Sequence, residues 1–281
     1  MCVFLDERLV VPPVTPRPQL TDHAERISAA AYWELLANLT RREVMGRYTQ
    51  SLFGIGWAIA QPLATMAVFT FVFSRLAKIP SGGAPYPVFA YAALVPWFFF
   101  SNSVNSGTLS LITYRNIITK TYFPREVIPF AQVCSRLLDF VSAGTLFVLL
   151  IIYYQVPVGP WALLTPLFFL LLLLFTTGVT LATSAVNVFY RDVNPVVQIA
   201  LQLWLYLTPV AYPLSEVSEK YRPLFFLNPL SAIVEGFRSV LVFGRAPDWT
   251  LTAVATSIIL VLLAGSFILF KRMDKYFADV I

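Results

Sequence analysis

The chain has 281 residues, of which 58% are hydrophobic and only 12% are charged, roughly half the charge content of an ordinary globular domain. A soluble fold is therefore excluded, and several apolar runs reach the ~20 residues that cross a bilayer as a helix. The net charge of +5 is distributed in short clusters between these runs, which is typical of membrane-protein loops and argues against a nucleic-acid partner. We predict an all-α polytopic membrane protein.

The N-terminal region divides into a tail and a helix. Residues 1–20 are rich in proline and predict a flexible tail. Residues 1–19 lack the continuous apolar core of a signal peptide, so we expect the N-terminus to stay in the cytosol. In residues 21–51, Asp22 and Glu25 resemble a capping box, and apolar residues then recur at helical spacing opposite charged ones. This pattern predicts a cytosolic amphipathic helix at the membrane interface. The apolar positions are Tyr32, Leu35, Leu36 and Leu39, and the charged positions are Glu34, Arg41, Arg42, Glu43 and Arg47.

Residues 52–270 contain six apolar stretches, and we predict a transmembrane helix in each. The predicted spans are 52–74, 86–109, 128–154, 161–189, 194–212 and 250–270. A further helix that starts at Asn228-Pro229 stops at Gly244 after about fifteen residues, too few to cross at ~1.5 Å per residue. Residues 221–243 are therefore predicted to be re-entrant, and residues 271–281 to form a cytosolic tail.

Lysine and arginine are concentrated in the loops that this topology places in the cytosol, as the positive-inside rule requires. These basic residues are Arg41, Arg42, Arg47, Arg115, Lys120, Arg125, Arg191, Lys271, Arg272 and Lys275. The last external loop weakens the pattern with Lys220, Arg222, Arg238 and Arg245, which nearby glutamates partly offset. We expect both termini to be cytosolic, together with the inter-span segment Tyr114–Pro129.

Several kinds of active site are missing from the sequence. No glycine is followed by lysine, so the P-loop that binds nucleotides is missing and any ATP must be bound by another chain. Cys2, Cys134 and His23 suggest neither a disulfide nor a metal site. No nucleophile elbow or catalytic acid pair is visible. We predict that the chain is not an enzyme and holds no metal or cofactor of its own.

Two charged pairs have the three-residue spacing that places both members on one helical face. Arg136 and Asp139 lie inside the third span, where they either line an aqueous path or neutralise each other and fix helix packing. Glu235 and Arg238 lie in the re-entrant helix, where they either line the outer mouth of a path or form a solvated pair.

Aromatic residues and the inter-span segment also allow two interpretations each. The rings form an interfacial belt with lipid-facing bulk, or some of them face a channel where they contact the C–H surfaces of sugars. The rings concerned include Trp97, Phe98, Phe99, Phe100, Trp204, Tyr206, Tyr212, Phe225 and Phe226. The segment's positive charge can serve topology alone, but adjacent Tyr122 and Phe123 beside Arg125 favour a docking element for a partner protein.

Four motifs in order resemble the membrane subunit of ABC-type exporters of polysaccharides and polyol phosphates, a family that handles O-antigen, capsular polysaccharide and teichoic acid. They read RREVMGRYTQSLFGIGWAIAQPL, NIITKTYFPREVIP, FYRDVNPVVQIALQLWLYLTPVAYP and LNPLSAIVEGFR. The resemblance runs from about Ala37 to the C-terminus, and the four motifs together make it specific.

This resemblance implies a homodimer of six-span subunits above two copies of a separate ATPase, which binds ATP and Mg²⁺. It implies a coupling helix at Asn116–Glu126, flanked by the interface helix, and re-entrant helices at 221–243. The residues implied in coupling are Asn116, Lys120, Tyr122, Phe123, Pro124, Arg125, Glu126, Arg41, Arg42 and Arg47. The aromatic residues implied for the channel are Trp97, Phe98, Trp204 and Tyr206.

The expected function is ATP-driven export of a lipid-linked polysaccharide across a bacterial inner membrane. An ABC permease of the same architecture for a drug or small lipid is the alternative. An intramembrane enzyme would require a paired acid and base or a metal site. A secondary transporter is disfavoured because no repeat is visible and membrane-buried carboxylates are few.

Overall fold

The computed structural model describes residues 28–49, 52–120 and 123–280. Within these ranges the chain forms helices joined by turns, and no β-strand occurs. The predicted tail 1–20, the capping box at Asp22 and the side chain of Tyr122 lie outside the described residues. The helices are α1 Ala29–Tyr48, α2 Gly56–Phe69, α3 Tyr86–Thr113, α4 Arg115–Ile118, α5 Val127–Ser135, α6 Leu137–Tyr153, α7 Thr165–Phe189, α8 Val193–Leu207, α9 Arg222–Phe226, α10 Pro229–Leu241, α11 Trp249–Asp274 and α12 Phe277–Val280.

Five of the described helical stretches are long and apolar enough to cross a membrane. They are Gly56–Leu76, Tyr86–Thr113, Val127–Tyr153, Pro160–Phe189 and Trp249–Asp274. These stretches coincide with five of the six predicted spans. Two of them, α3 and α11, are single uninterrupted α-helices. The other three combine two helical segments, as where the π-helical residues Thr70–Leu76 extend α2.

The fifth predicted span, 194–212, is shorter than expected as a helix. Helix α8 has 15 residues, which corresponds to about 22 Å, less than the ~30 Å of a hydrocarbon core. It ends because Thr208 precedes Pro209, and a residue before proline disfavours the helical region. Thr208 accordingly has extended angles, φ −101° and ψ 139°.

Helix α3 is the central element of the bundle. Most of its side chains are buried, and it packs against α2, α5, α6, α7, α8 and α10. The approach to α7 is especially close at Gly107, where a Cβ atom would lie 2.1 Å from Cγ2 of Thr180. Beside it, the Thr108 hydroxyl donates to Thr183 Oγ1 at 2.9 Å. Small residues and hydroxyl groups of this kind hold helices together in membranes.

One end of the bundle, which we call the basic end, gathers the inter-span segment and the ends of four helices. Tyr114, Ile128, Val188 and Phe270 belong to one apolar cluster there. They lie at the end of α3, the start of α5, the end of α7 and near the end of α11. The basic end therefore contains the segment joining α3 to α5, the turn from α7 to α8, and the C-terminal part of α11.

The opposite end gathers the remaining connections. The Tyr86 hydroxyl donates to the Ala211 carbonyl at 2.7 Å. The backbones of Gly159 and Gly244 are in direct contact, and a Cβ on Gly159 would lie 2.8 Å from the Gly244 carbonyl oxygen. Gly244, which follows α10, has a φ of +60°. This angle lies in the left-handed region, which glycine adopts readily. Between Asp192 and Ala211 the chain thus passes from one end of the bundle to the other.

Helix α10 is nearly enclosed by its neighbours. Asn228 caps it by accepting a hydrogen bond from the Leu230 amide at 3.2 Å, as the sequence predicted for a helix start at Asn-Pro. Gly236 lies against the Phe168 ring in the first turn of α7, and Ala232 clusters with Leu251 in the first turn of α11. Helix α10 therefore lies in the half of the bundle nearer the opposite end.

Helix α1 lies along α5. Leu36 is buried there, and Tyr32, Leu35 and Leu39 pack around the same contact. Burial and the nearby carboxylate of Glu126 raise the pKa of Tyr32 to about 12. The charged positions Glu34, Arg41 and Arg42 are exposed.

Candidate functional site

The inter-span segment begins with the short helix α4. Arg115 and Asn116 in α4 and Lys120 just after it are exposed, whereas Ile118 is buried and anchors the turn to the apolar cluster of the basic end. Asn116 and Lys120, which the sequence predicts as coupling residues, are therefore available to another chain.

The second half of this segment is bound within the chain. The Arg125 guanidinium donates to the Asp274 carboxylate at 3.3 Å and also to the Asp274 carbonyl. The Glu126 carboxylate lies 2.6 Å from Lys271 Nζ. Both partners are in the last turn of α11. Among the predicted coupling residues, Arg125 and Glu126 thus connect the segment to α11 rather than extending freely from the surface.

Phe123 and Pro124 are intermediate in exposure. Phe123 packs at the edge of the apolar cluster that contains Phe270 and Phe277. Of the two neighbouring rings predicted to be exposed, only Phe123 lies within the described residues, and it is partly buried.

Helix α1 is attached to the start of the segment through Tyr114. The Tyr114 hydroxyl donates to the Glu43 carboxylate, and the Arg42 guanidinium lies 5.2 Å from the centre of the Tyr114 ring. Burial, followed by the hydrogen bond to Glu43, raises the pKa of Tyr114, so the hydroxyl stays protonated and able to donate. Arg41 is exposed beside this contact.

Arg47 does not share the environment of Arg41 and Arg42. Its guanidinium donates to Asp139 at 3.0 Å and to Ser135 Oγ at 2.8 Å. Arg136 also contacts Asp139, at 3.2 Å, and the Tyr48 hydroxyl donates to the same carboxylate. The predicted Arg136–Asp139 pair exists, but two guanidinium groups share one carboxylate, so the cluster keeps one excess positive charge.

Sequence spacing did not indicate this cluster, because Arg47 and Asp139 are separated by 92 positions. Arg47 connects two helices at their junction. Ser135 is the last residue of α5, and Asp139 lies in the first turn of α6. The ion pair therefore fixes α1 to the point where the third span changes from α5 to α6.

The cluster forms one wall of a cavity of about 270 Å³ between α1, α2, α3 and α6. The other walls combine aromatic rings with two side-chain amides. The rings are Trp57, Phe98, Phe99 and Phe140, and the amides are Gln61 and Asn102. A second cavity of about 500 Å³ lies on the other side of Arg47 and Arg136, and Asn116 and Glu43 contribute to its lining. The two arginines thus line both cavities.

The other aromatic residues predicted for a path have different environments. Trp97 is buried, and its ring centre lies 5.9 Å from that of Phe100. Trp204 packs against Phe100 and donates from Nε1 to Asn228 at 3.1 Å. Tyr206, in contrast, is 64% exposed. Trp97 is therefore enclosed by this chain and Trp204 is partly buried in it, whereas Phe98 lines the cavity and Tyr206 is available to a neighbour.

Glu235 and Arg238 form no direct ion pair in the described part of the chain. Glu235 lies 3.7 Å from Arg245, while Arg238 has no exposed surface, so the solvated-pair interpretation is wrong for Arg238. Its guanidinium lies 3.6 Å from the centre of the Phe89 ring.

Arg238 instead donates to backbone carbonyl groups. Its Nε contacts the Phe89 carbonyl at 3.1 Å, and its terminal nitrogens contact the carbonyls of Pro209, Val210 and Tyr212. The non-helical backbone after α8 leaves these carbonyls without helical partners, and a buried carbonyl requires a donor. This geometry gives Arg238 a structural role, because it supplies donors to the backbone that follows α8.

No cluster of three or more His, Cys, Asp or Glu residues that could hold a metal ion lies in the described part of the chain. Besides the Asp139 carboxylate, the polar groups that line the first cavity are two arginines, two side-chain amides and the Tyr48 hydroxyl, which are suited to anions and to sugar hydroxyl groups.

The sequence matches one known family and is similar to several named export proteins. The family described as ABC-2 type transporter matches residues 34–242. The O-antigen export system permease protein RfbA of Myxococcus xanthus is 33% identical over 254 residues, covering 87% of this chain and 95% of the relative. RfbA of Klebsiella pneumoniae is 29% identical, covering 89% and 95%. The polysialic acid transport protein KpsM of Escherichia coli is 23% identical, covering 72% and 79%.

Proposed function

The chain belongs to the ABC-2 type transporter family, and we propose that it is the permease subunit of an ATP-driven exporter that moves a lipid-linked polysaccharide across a bacterial inner membrane. The observation that carries this proposal is the 33% identity to an O-antigen export permease over 95% of that protein. The second relative type, named for polysialic acid transport, supports polysaccharide as the class of cargo.

The proposed subunit has six spans with both termini cytosolic. Five helices are long enough to cross, and the sixth crossing combines α8 with the extended residues that follow it. Two arguments support this assignment. The chain passes from the basic end to the opposite end between Asp192 and Ala211, and α10 stays beside the first turns of α7 and α11. A chain arranged in this way crosses at α8, dips and returns at α9–α10, and crosses back at α11.

The basic end is the proposed cytosolic side. It carries the exposed residues Arg41, Arg42, Arg115 and Lys120, in agreement with the excess of positive charge on cytosolic loops. Helix α1, with its charged face exposed, would lie in the membrane interface on this side.

A separate ATPase, which would bind ATP and Mg²⁺, is the proposed partner at this end. It would contact Asn116 and Lys120 on the inter-span segment, together with Arg41 and Arg42 on α1. Movement of the segment would reach α11 through the Arg125–Asp274 and Glu126–Lys271 contacts, and α1 through Tyr114 and Glu43. These contacts support a lever that moves two helices when it is pushed.

Two copies of the chain would form the path, with two copies of the ATPase below. The exposed Tyr206 ring and the partly exposed Phe98 ring are available to line it. Flat rings offer apolar faces to sugars while a tyrosine hydroxyl supplies a hydrogen bond.

Deletion of the gene in its native bacterium tests the function. We expect lipid-linked polysaccharide to accumulate on the cytosolic side of the membrane, and plasmid-borne wild-type protein to restore export. Normal polysaccharide on the cell surface, combined with loss of export of a drug or small lipid, would instead establish the permease alternative.

A further inference from the structure

The cavity between α1, α2, α3 and α6 has the chemistry of a ligand site. Its charged wall holds Arg47 and Arg136 against the single carboxylate of Asp139. The Nε atom of Arg136 is buried and has no hydrogen-bond acceptor among the described residues. A buried donor without a partner is costly, so this side of Arg136 is suited to an additional acceptor.

The charges around the cluster leave it positive when every neighbouring helix is considered. Helix α1 contributes Arg42, Glu43 and Arg47, and the third span contributes Arg136 and Asp139. Three cations therefore face two anions. An anion that enters between Arg47 and Arg136 would compensate the excess charge, and planar guanidinium groups bind phosphate through paired hydrogen bonds.

The rest of the cavity is suited to a sugar ring. The amides of Gln61 and Asn102 offer donors and acceptors for hydroxyl groups, and the rings of Trp57 and Phe98 offer apolar faces. The volume of about 270 Å³ corresponds to a single sugar unit with its phosphate rather than to a polymer.

We propose that this cavity binds a lipid-linked glycosyl phosphate, with the phosphate between Arg47 and Arg136 and the attached sugar between Gln61 and Asn102. Asp139 is an internal anion in this site. It occupies the two guanidinium groups when the ligand is absent, and the phosphate displaces it from at least one of them. This inference rests on the proposed function, because it identifies the part of the cargo that the permease would recognise.

The test measures binding to the purified permease–ATPase complex in phosphatidylcholine nanodiscs without nucleotide. The probes are a short-chain prenyl phosphate carrying one hexose, the same prenyl phosphate without the sugar, and free hexose 1-phosphate. Native mass spectrometry counts bound ligand, and titration gives the dissociation constant. We expect the glycosylated prenyl phosphate to bind most tightly. Equal binding of free hexose 1-phosphate would overturn the assignment to a lipid-linked ligand.

Two charge variants are expected to act in opposite directions. Arg136→Gln should weaken binding of every phosphate probe about tenfold, the effect of one charged hydrogen bond. Asp139→Asn should tighten binding about fivefold, since it removes the competing anion. Arg75→Gln removes the same charge from an exposed position outside the cavity and should change nothing. Weaker binding by Asp139→Asn, or equal effects of Arg136→Gln and Arg75→Gln, would overturn the proposal.

One variant of an amide side chain keeps the test decisive if a charge variant fails to fold. Gln61 is exposed on α2 and its side chain is an uncharged amide. Gln61→Ala should weaken the glycosylated probe about threefold to tenfold and leave the sugar-free probe unchanged. An equal effect on both probes would overturn the sugar site. Binding without export in the same complex would contradict the proposed function while supporting the site, and export without binding in this cavity would do the reverse.

Discussion

Lys271, in the last turn of α11, lies 2.6 Å from Glu126, the residue immediately before α5. The contact joins the inter-span segment to the part of α11 that continues past the predicted end of the sixth span at residue 270, across 145 positions of sequence. Glu126 is 8% exposed, so its carboxylate depends on this partner. Arg125 and Asp274 form a parallel contact one residue away on the segment.

Breaking this contact should uncouple ATP hydrolysis from export. Lys271→Met removes the partner of a buried carboxylate, and a charge-assisted hydrogen bond of this kind contributes about 1.5–3 kcal/mol. We expect a lower unfolding temperature in detergent, and less polysaccharide exported per ATP hydrolysed in the reconstituted complex. The exchange variant with Glu126→Lys and Lys271→Glu should recover part of both losses. Lys275→Met, a nearby exposed lysine, serves as the control. Full coupling in Lys271→Met would contradict a mechanical role for this contact.

The exposed part of the segment should determine ATPase binding. Asn116→Ala combined with Lys120→Ala removes two exposed side chains, so we expect unchanged thermal stability but weaker binding of the ATPase and lower stimulated hydrolysis. Arg125→Ala should differ, because it removes a contact to Asp274 and therefore lowers stability as well. Lys220→Ala, exposed near the opposite end, is the matched control. Pull-down of the ATPase and differential scanning fluorimetry separate these outcomes. Wild-type binding by the double variant would exclude this face as the docking surface.

The amino-acid pattern predicted some features of this fold better than others, for physical reasons. Span positions depend on local composition, so five of the six predicted spans coincide with long apolar helices. The start of α10 was also predictable from local sequence, because Asn228-Pro229 carries its own capping signal. Helix α8 ends early, at Thr208, because Pro209 follows. Hydropathy alone did not predict this end, because apolar residues continue beyond it.

The site was less predictable, because its contacts join residues that are distant in sequence. In the sequence, nothing distinguishes Arg47 from the other basic residues of α1. Only the fold brings Asp139 beside it. The three-residue spacing pairs Arg238 with Glu235 on one helical face, but the partners of Arg238 are carbonyls that the extended backbone after α8 exposes. That local backbone geometry, rather than a charged partner, explains how a cation is buried in this chain.

Arg238 should therefore be required for folding rather than for transport. Arg238→Met leaves several buried carbonyl groups without a donor, and each unsatisfied group costs about 1–3 kcal/mol, so we expect a loss of at least about 3 kcal/mol and poor yield of folded protein. Arg238→Lys should be intermediate, since an ammonium group keeps the charge but cannot reproduce the planar arrangement of donors. Arg245→Met, exposed nearby, is the control. A variant at Arg238 that folds with wild-type stability but loses export would instead support a place in the substrate path.

The proposed topology predicts which residues are accessible from outside the cell. Single cysteines in a background with Cys2 and Cys134 replaced by serine can be labelled with a membrane-impermeant maleimide in spheroplasts. Cysteine at Glu219, before α9, and at Ala246, after α10, should both be labelled in intact spheroplasts, because α9 and α10 dip in and return to one side.

Cysteine at Arg115 or Arg272 should be labelled only after the membrane is permeabilised, since both positions lie at the basic end and are exposed there. These two positions also verify that the spheroplasts are sealed. If Ala246 required permeabilisation while Glu219 did not, α10 would cross the membrane and the C-terminus would be external. If neither were labelled from outside, α8 would not cross. Labelling of both Glu219 and Ala246 from outside, with the basic end protected, would support six crossings. The fifth crossing would then consist of the 15-residue helix α8 and the extended residues that follow it.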